Sequence, residues 1–193
     1  MSDAALQTAD AIGALLPTLQ LALRGALSLL LLAAAVHKFR DLADFQRVVE
    51  AYGLLPKIAT GWVARAIPAL ESAGAALLWV PATAGAGAAL AFGLLGAYSA
   101  ALAVSLARGR RDIDCGCGGF GAEQTVHFGL LLRNGALLLA AVFCGLALSG
   151  PVPKLSVALP AALAAVLLYA AMDQLMANGA SRRSLEFGRS LDA

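Results

Sequence analysis

The amino-acid sequence predicts an all-α fold: a polytopic membrane helical bundle of about five transmembrane helices, with an amphipathic helix lying in the interface. Three observations predict it. Of 193 residues, 60% are hydrophobic and only 13% charged, with a mean hydropathy of +0.79, whereas soluble domains carry roughly a quarter charged residues. Long charge-free stretches recur, and residues 72–107 run for 36 positions without Asp, Glu, Lys or Arg. The ionisable side chains gather between those stretches. This composition excludes a soluble globular enzyme and a disordered chain. A net charge of +2, with no basic stripe interleaved with aromatics, argues against nucleic acid. The lipid bilayer is the partner that the composition demands.

A helix needs about 20 apolar residues to cross the hydrocarbon core. Residues 19–36 supply the first span, with Arg24 its one charge. The first twenty residues hold Asp3 and Asp10 but no Lys or Arg, so the basic region of a cleavable signal is missing and the span is expected to be a retained anchor. Residues 62–83 form the second span, with Arg65 at its mouth and Glu71 inside. Residues 86–107 form the third, joined to the second by a Gly/Ala turn at 84–87, so the two make an antiparallel hairpin. The fourth runs over 126–148 and contains Arg133; the fifth lies between Lys154 and Asp173. Residues 1–176 are thus expected to be a single integral-membrane domain and residues 177–193 a solvated polar C-terminal tail. Pro68 and Pro160 lie inside spans two and five, where membrane helices tolerate them.

Between spans one and two, Phe39, Leu42, Phe45, Val49 and Tyr52 recur every three or four residues with polar residues between them. That spacing predicts an amphipathic helix in the interface from His37 onward, ended by Leu54, Leu55 and Pro56. It anchors the bundle or lids whatever opens at that surface. In span three, Ala89, Gly93, Ala97, Ala101 and Ser105 are spaced four apart. Small residues let helices approach closely, and the stripe reads as tight packing or as a cavity wall.

The chemistry-bearing motif lies between spans three and four: Asp112-Ile113-Asp114-Cys115-Gly116-Cys117-Gly118-Gly119. A disulfide requires Cα atoms within about 7 Å and converging Cβ vectors. For Cys115 and Cys117 the chain must bend, and Gly116 permits the positive φ that a bend uses. A ring so small is strained, and strained exposed disulfides are the exchangeable ones. Arg110 and Arg111 act to lower the thiol pKa, and Asp112 and Asp114 to raise it. Cys115 and Cys117 as a redox pair, as half of a metal site completed by His37 and His127, and as an inert glycine-rich turn are three readings that stay open. Cys144, far down span four, reads as a small buried apolar residue.

Arg24, Glu71 and Arg133 lie within spans, where charges face the bundle interior or a wet cavity. Glu71 and Arg133 fall within about 3 Å of each other in depth, and Arg24 approaches from the other side. A buried Arg–Glu pair or triad is expected, either structural or serving to bind a quinone or relay a proton.

Four features in order resemble the MauE family of methylamine-utilisation proteins and the wider MauE/DoxX group of redox-associated membrane proteins. They are Val36-His37-Lys38-Phe39-Arg40-Asp41 with its amphipathic sequel to Leu54-Leu55-Pro56; Pro68-x-x-Glu71; Asp114-Cys115-Gly116-Cys117-Gly118; and Leu132-Arg133-Asn134. The resemblance covers about residues 19–148. It implies a membrane thiol–disulfide oxidoreductase, with Cys115 and Cys117 as its catalytic pair and Gly116, Glu71, Arg133, Arg24 and His37 in support. The thioredoxin-like MauD would be its partner and the methylamine dehydrogenase small subunit its client. The alternative is a non-catalytic membrane chaperone or docking subunit for the same maturation system. The order of elements is also similar to the four-helix core of vitamin K epoxide reductase-like proteins, which implies a quinone as electron acceptor. Many MauE relatives run straight from the second cysteine to Phe-Gly, whereas Gly118 and Gly119 intervene here.

Charge and chemistry disagree on orientation. With five spans, eleven of the fourteen Lys and Arg share the side of the cysteine motif, against Lys154 alone on the other. The positive-inside rule makes the crowded side cytoplasmic. Disulfide formation for a periplasmic enzyme requires the reverse, and on the resemblance the pair is assigned to the periplasmic side of a bacterial inner membrane.

Overall fold

Long runs dominated by Ala and Leu favour helix, even across Pro17, Pro68 and Pro160, and helix is what forms. The computed structural model describes residues 3–110, 127–146 and 155–191. Among these residues six helices follow one another: α1 (Asp3–Arg40), α2 (Leu42–Tyr52), α3 (Lys57–Trp79), α4 (Ala84–Ala107), α5 (Phe128–Gly145) and α6 (Leu155–Leu191).

Among the described residues, four segments are long and apolar enough to cross a membrane: Leu15–Arg40, Ala84–Ala107, Phe128–Gly145 and Leu155–Leu175. Helix α3, expected as the second span, is 23 residues long, about 34 Å at 1.5 Å per residue. It is not among the four, because Arg65 and Glu71 interrupt its apolar surface.

The break between α1 and α2 falls at Asp41 rather than at His37. Helix α1 carries its apolar character through Val36 and ends on His37, Lys38 and Arg40. The Asp41 carboxylate then accepts a hydrogen bond from the Asp44 amide at 2.8 Å, an N-cap that starts the next helix. Gly53 ends α2 in the left-handed conformation (φ 61°), its N–H donating to Glu50 O. The apolar face of α2 turns inward through Phe45 and Tyr52. Its polar face is tied to α3 by Thr60 Oγ1, which donates to Glu50 Oε1 at 3.1 Å, and within α2 Gln46 Nε2 donates to the same oxygen at 2.9 Å. The Gln46 amide, then the Thr60 hydroxyl, hold the Glu50 carboxyl below its ordinary pKa.

Helices α3 and α4 form the expected hairpin, but the turn occupies residues 80–83 instead of 84–87. Thr83 Oγ1 donates to Leu77 O at 3.0 Å, which satisfies a carbonyl left open where α3 ends. Gly87 is already helical and serves close approach: a Cβ there would stand 2.7 Å from Leu78 N and 2.9 Å from Leu77 C. The main core lies among α1, α3, α4 and α5, around Leu31, Leu78, Ala91, Ala141 and Cys144. Cys144 is fully buried there, as a small apolar residue.

The stripe in α4 does not pack as one face. Ala89, Gly93 and Ala97 are exposed, Ala101 is half-buried and Ser105 is buried. The packed face is instead Ala84, Gly87, Ala88, Ala91, Leu94 and Leu95. The reason is angular: four residues at 100° each overshoot one turn by about 40°, so a strict four-residue spacing winds around the helix.

Helix α6 packs along α1, where a Cβ on Gly25 would lie 3.2 Å from Ala162 Cβ. Only 11% of its Leu155–Leu175 segment is buried, so most of that surface faces outward. The backbone continues as one helix to Leu191, through most of the residues expected to form a separate tail.

Candidate functional site

The mid-bundle holds two buried ion pairs among the described residues. At the first, Lys38 Nζ and Glu71 Oε1 are 2.7 Å apart, with both side chains 1% exposed. The Tyr98 hydroxyl donates to the same oxygen at 2.6 Å. Lys38 Nζ also lies 5.2 Å from the Phe45 ring centroid and 5.3 Å from that of Tyr98, within cation–π range. One lysine at the end of α1 is therefore gripped from α2, α3 and α4.

The second pair joins α5 to α6. Arg133 Nη1 donates to Asp173 Oδ1, with both side chains 3% exposed, and the guanidinium lies 5.3 Å from the Tyr169 ring centroid. Asn134, the next residue, is buried as well.

These contacts correct the expected Arg–Glu pair or triad. Glu71 and Arg133 do line one common cavity, as their matching depth implied, but each has a different partner. Lys38 was expected among the interfacial polar residues; because α1 extends through it, its long side chain reaches down to Glu71. Asp173 was read as the boundary of a span; because α6 continues past it, it lies inside and neutralises Arg133. Arg24 meets neither. It sits 14 residues before Lys38 on α1, about 21 Å away along the axis, and its Nη2 donates to Cys144 O at 3.1 Å. Gln20 Nε2 donates to Phe143 O and Leu146 O at 2.9 and 2.8 Å. Arg24 and Gln20 together donate to carbonyls in the last turn of α5 and just beyond it.

His37 is exposed at the end of α1, and His127 precedes α5. Cys115, Gly116 and Cys117 lie outside the described residues. On the α4 side of that connection, Arg110 Nη1 donates to Tyr52 O on α2 at 3.4 Å. Beneath α2 lies an apolar cavity of about 240 Å³, walled by Phe45, Val48, Tyr52, Ile67, Ala97 and Ala101 and reaching Tyr98. Two of the small α4 residues thus line a cavity. Lys38, Tyr98 and Asp173 escaped the sequence reading. For Lys38 and Asp173 the available signal was a buried acid or base at matching depth without a partner.

Fold and site together define a multi-pass membrane protein with ion-paired polar groups buried at the centre of its bundle. The chain belongs to the MauE family: the family model "Methylamine utilisation protein MauE" matches residues 16–147. It is 40% identical to methylamine utilization protein MauE of Paracoccus denitrificans over 137 residues, 71% of this chain and 74% of that protein. Against the MauE proteins of Methylorubrum extorquens and Methylophilus methylotrophus it is 37% and 34% identical, covering 86% and 82% of this chain and 87% and 86% of theirs. No solved structure matches it. The family match ends near the close of α5, so α6 and its Asp173 lie beyond it.

Proposed function

We propose that this protein is a membrane thiol–disulfide oxidoreductase acting through Cys115 and Cys117. It exchanges a disulfide with a thioredoxin-like partner, MauD, during maturation of the methylamine dehydrogenase small subunit. In the exchange the Cys115–Cys117 disulfide accepts two electrons, and the partner's dithiol becomes a disulfide. The observation that carries this reading is the Cys115-Gly116-Cys117 motif in the α4–α5 connection of a MauE-family chain. The end of α4 is tied to α2 through Arg110, which brings the base of that connection beside the apolar cavity. At about 240 Å³ this cavity exceeds the roughly 150 Å³ that accommodates a benzene ring, and we assign the quinone acceptor to it.

Helix α3 is the fifth span in this reading. Its length suffices, and of the two charges that interrupt it, Arg65 lies near its mouth and Glu71 is neutralised by Lys38. The cysteine motif then faces the bacterial periplasm, against the basic-residue count. Cys115→Ser and Cys117→Ser are each expected to abolish methylamine dehydrogenase maturation, and the remaining cysteine to trap a mixed disulfide with MauD. Full maturation in both variants would favour the docking-subunit alternative, in which Glu71→Ala alone destroys assembly. In intact cells of a Cys144→Ala strain, a membrane-impermeant maleimide is expected to label the pair only after reduction. Labelling only in opened cells would place the pair in the cytoplasm.

A further inference from the structure

Glu71, Arg133 and Asn134 each keep one polar atom without a hydrogen-bond partner: Glu71 Oε2, Arg133 Nε and Asn134 Nδ2. Their residues are 0%, 4% and 2% exposed, and all three line the same cavity of about 50 Å³ at the centre of the bundle. An unsatisfied buried polar group costs about 1–3 kcal/mol, so three of them on residues that line one space call for a polar occupant. Volume and charge select it. A benzene-sized ring needs roughly 150 Å³, so no quinone ring enters. An anion would meet the Glu71 carboxylate, and a cation the Arg133 guanidinium. The occupant must also donate to Glu71 Oε2 while accepting from two N–H groups.

We infer that this cavity is a hydrated chamber that binds a cluster of about three water molecules, linking the Lys38–Glu71–Tyr98 group to the Arg133–Asp173 group. At about 10–15 Å³ of accessible volume per water, the space admits that number, and water both donates and accepts. Two ion pairs from different helices thereby share one solvent-exchanging network in mid-bundle. The inference stands apart from the cysteine reading, since none of its residues belongs to that motif.

The test is X-ray hydroxyl-radical footprinting of the full chain in lipid nanodiscs, because bound water labels the side chains it touches. Tyr98 and Tyr169, which line the chamber, are expected to label strongly in the parent protein. Labelling should fall several-fold in Asn134→Leu and in Ala34→Leu, which fill the space, while exposed Trp62 reports an unchanged dose. Equal labelling in all three proteins overturns the inference. A second measurement leaves Glu71, Arg133 and Asn134 unchanged: in a Tyr52→Phe, Tyr169→Phe protein with ring-labelled tyrosine, infrared spectra follow exchange of the Tyr98 hydroxyl in D2O. Exchange within seconds supports the chamber; protection lasting hours shows it to be dry.

Discussion

Lys38–Glu71 and Arg133–Asp173 are both buried, yet the cation of the first is held by groups from three other helices and that of the second by groups from α6 alone. Around Lys38, the Phe45 and Tyr98 rings and the Glu71 carboxylate come from α2, α4 and α3. Around Arg133, both Asp173 and Tyr169 come from α6, a helix whose membrane-length segment is mostly exposed. A buried pair is weak evidence for stability by itself, because desolvation offsets the attraction, but removing one partner strands a charge. How much that costs depends on whether the surroundings can yield. Around Glu71 the helices α1, α3 and α4 pack on one another and move apart less readily, whereas the largely exposed α6 can tilt away and let water reach Arg133.

The largest effect follows. Lys38→Met leaves the buried Glu71 carboxyl without its counter-charge and is expected to destabilise by on the order of 3–5 kcal/mol, read as a drop in the detergent-solubilised unfolding midpoint. The double variant Lys38→Met/Glu71→Leu should recover most of that loss, and failure to do so would remove the pair from the explanation. Asp173→Asn is expected to cost about half as much, and to loosen α6 measurably, read as faster proteolysis within Leu155–Leu175. Losses equal to those of Lys38→Met would break the comparison between the two pairs.

A smaller effect tests the frame that places Glu71 opposite Tyr98. Gly87→Ala pushes a methyl against the Leu78 backbone, and overpacking of this kind costs about 1–3 kcal/mol. The expected signature is a lowered midpoint together with a weakened Tyr98–Glu71 hydrogen bond in the infrared. The smallest effect comes from the exposed counterpart. Arg47 and Asp44 lie 2.9 Å apart on α2, but their side chains are 73% and 55% exposed. Arg47→Ala should change stability by less than about 0.5 kcal/mol, which separates burial from the mere presence of an ion pair.

Much of the bundle was legible in composition and charge-free run length, since a bilayer accepts few other solutions for such a chain. The helix cores, the α3–α4 hairpin and the amphipathic α2 follow from those runs and from a three-to-four-residue period. Helix ends were less legible: whether Lys38 or Asp173 ends a span depends on what faces it. The site was read at the right depth but with the wrong partners, because Glu71 and Arg133 each met an oppositely charged group that looked like part of a boundary.

By itself the sequence determined a membrane-embedded helical protein with acids and bases inside its spans, and family-specific motifs at fixed places along the chain. These are local properties, set by hydropathy, spacing and residue type. Only the tertiary structure decided that Lys38 takes Glu71, that Asp173 takes Arg133, and that Arg24 caps the end of α5. Pairing is a property of rotation and approach between helices, and several arrangements share the same depths. Which one forms is settled when the whole bundle packs, with every buried charge answered at once.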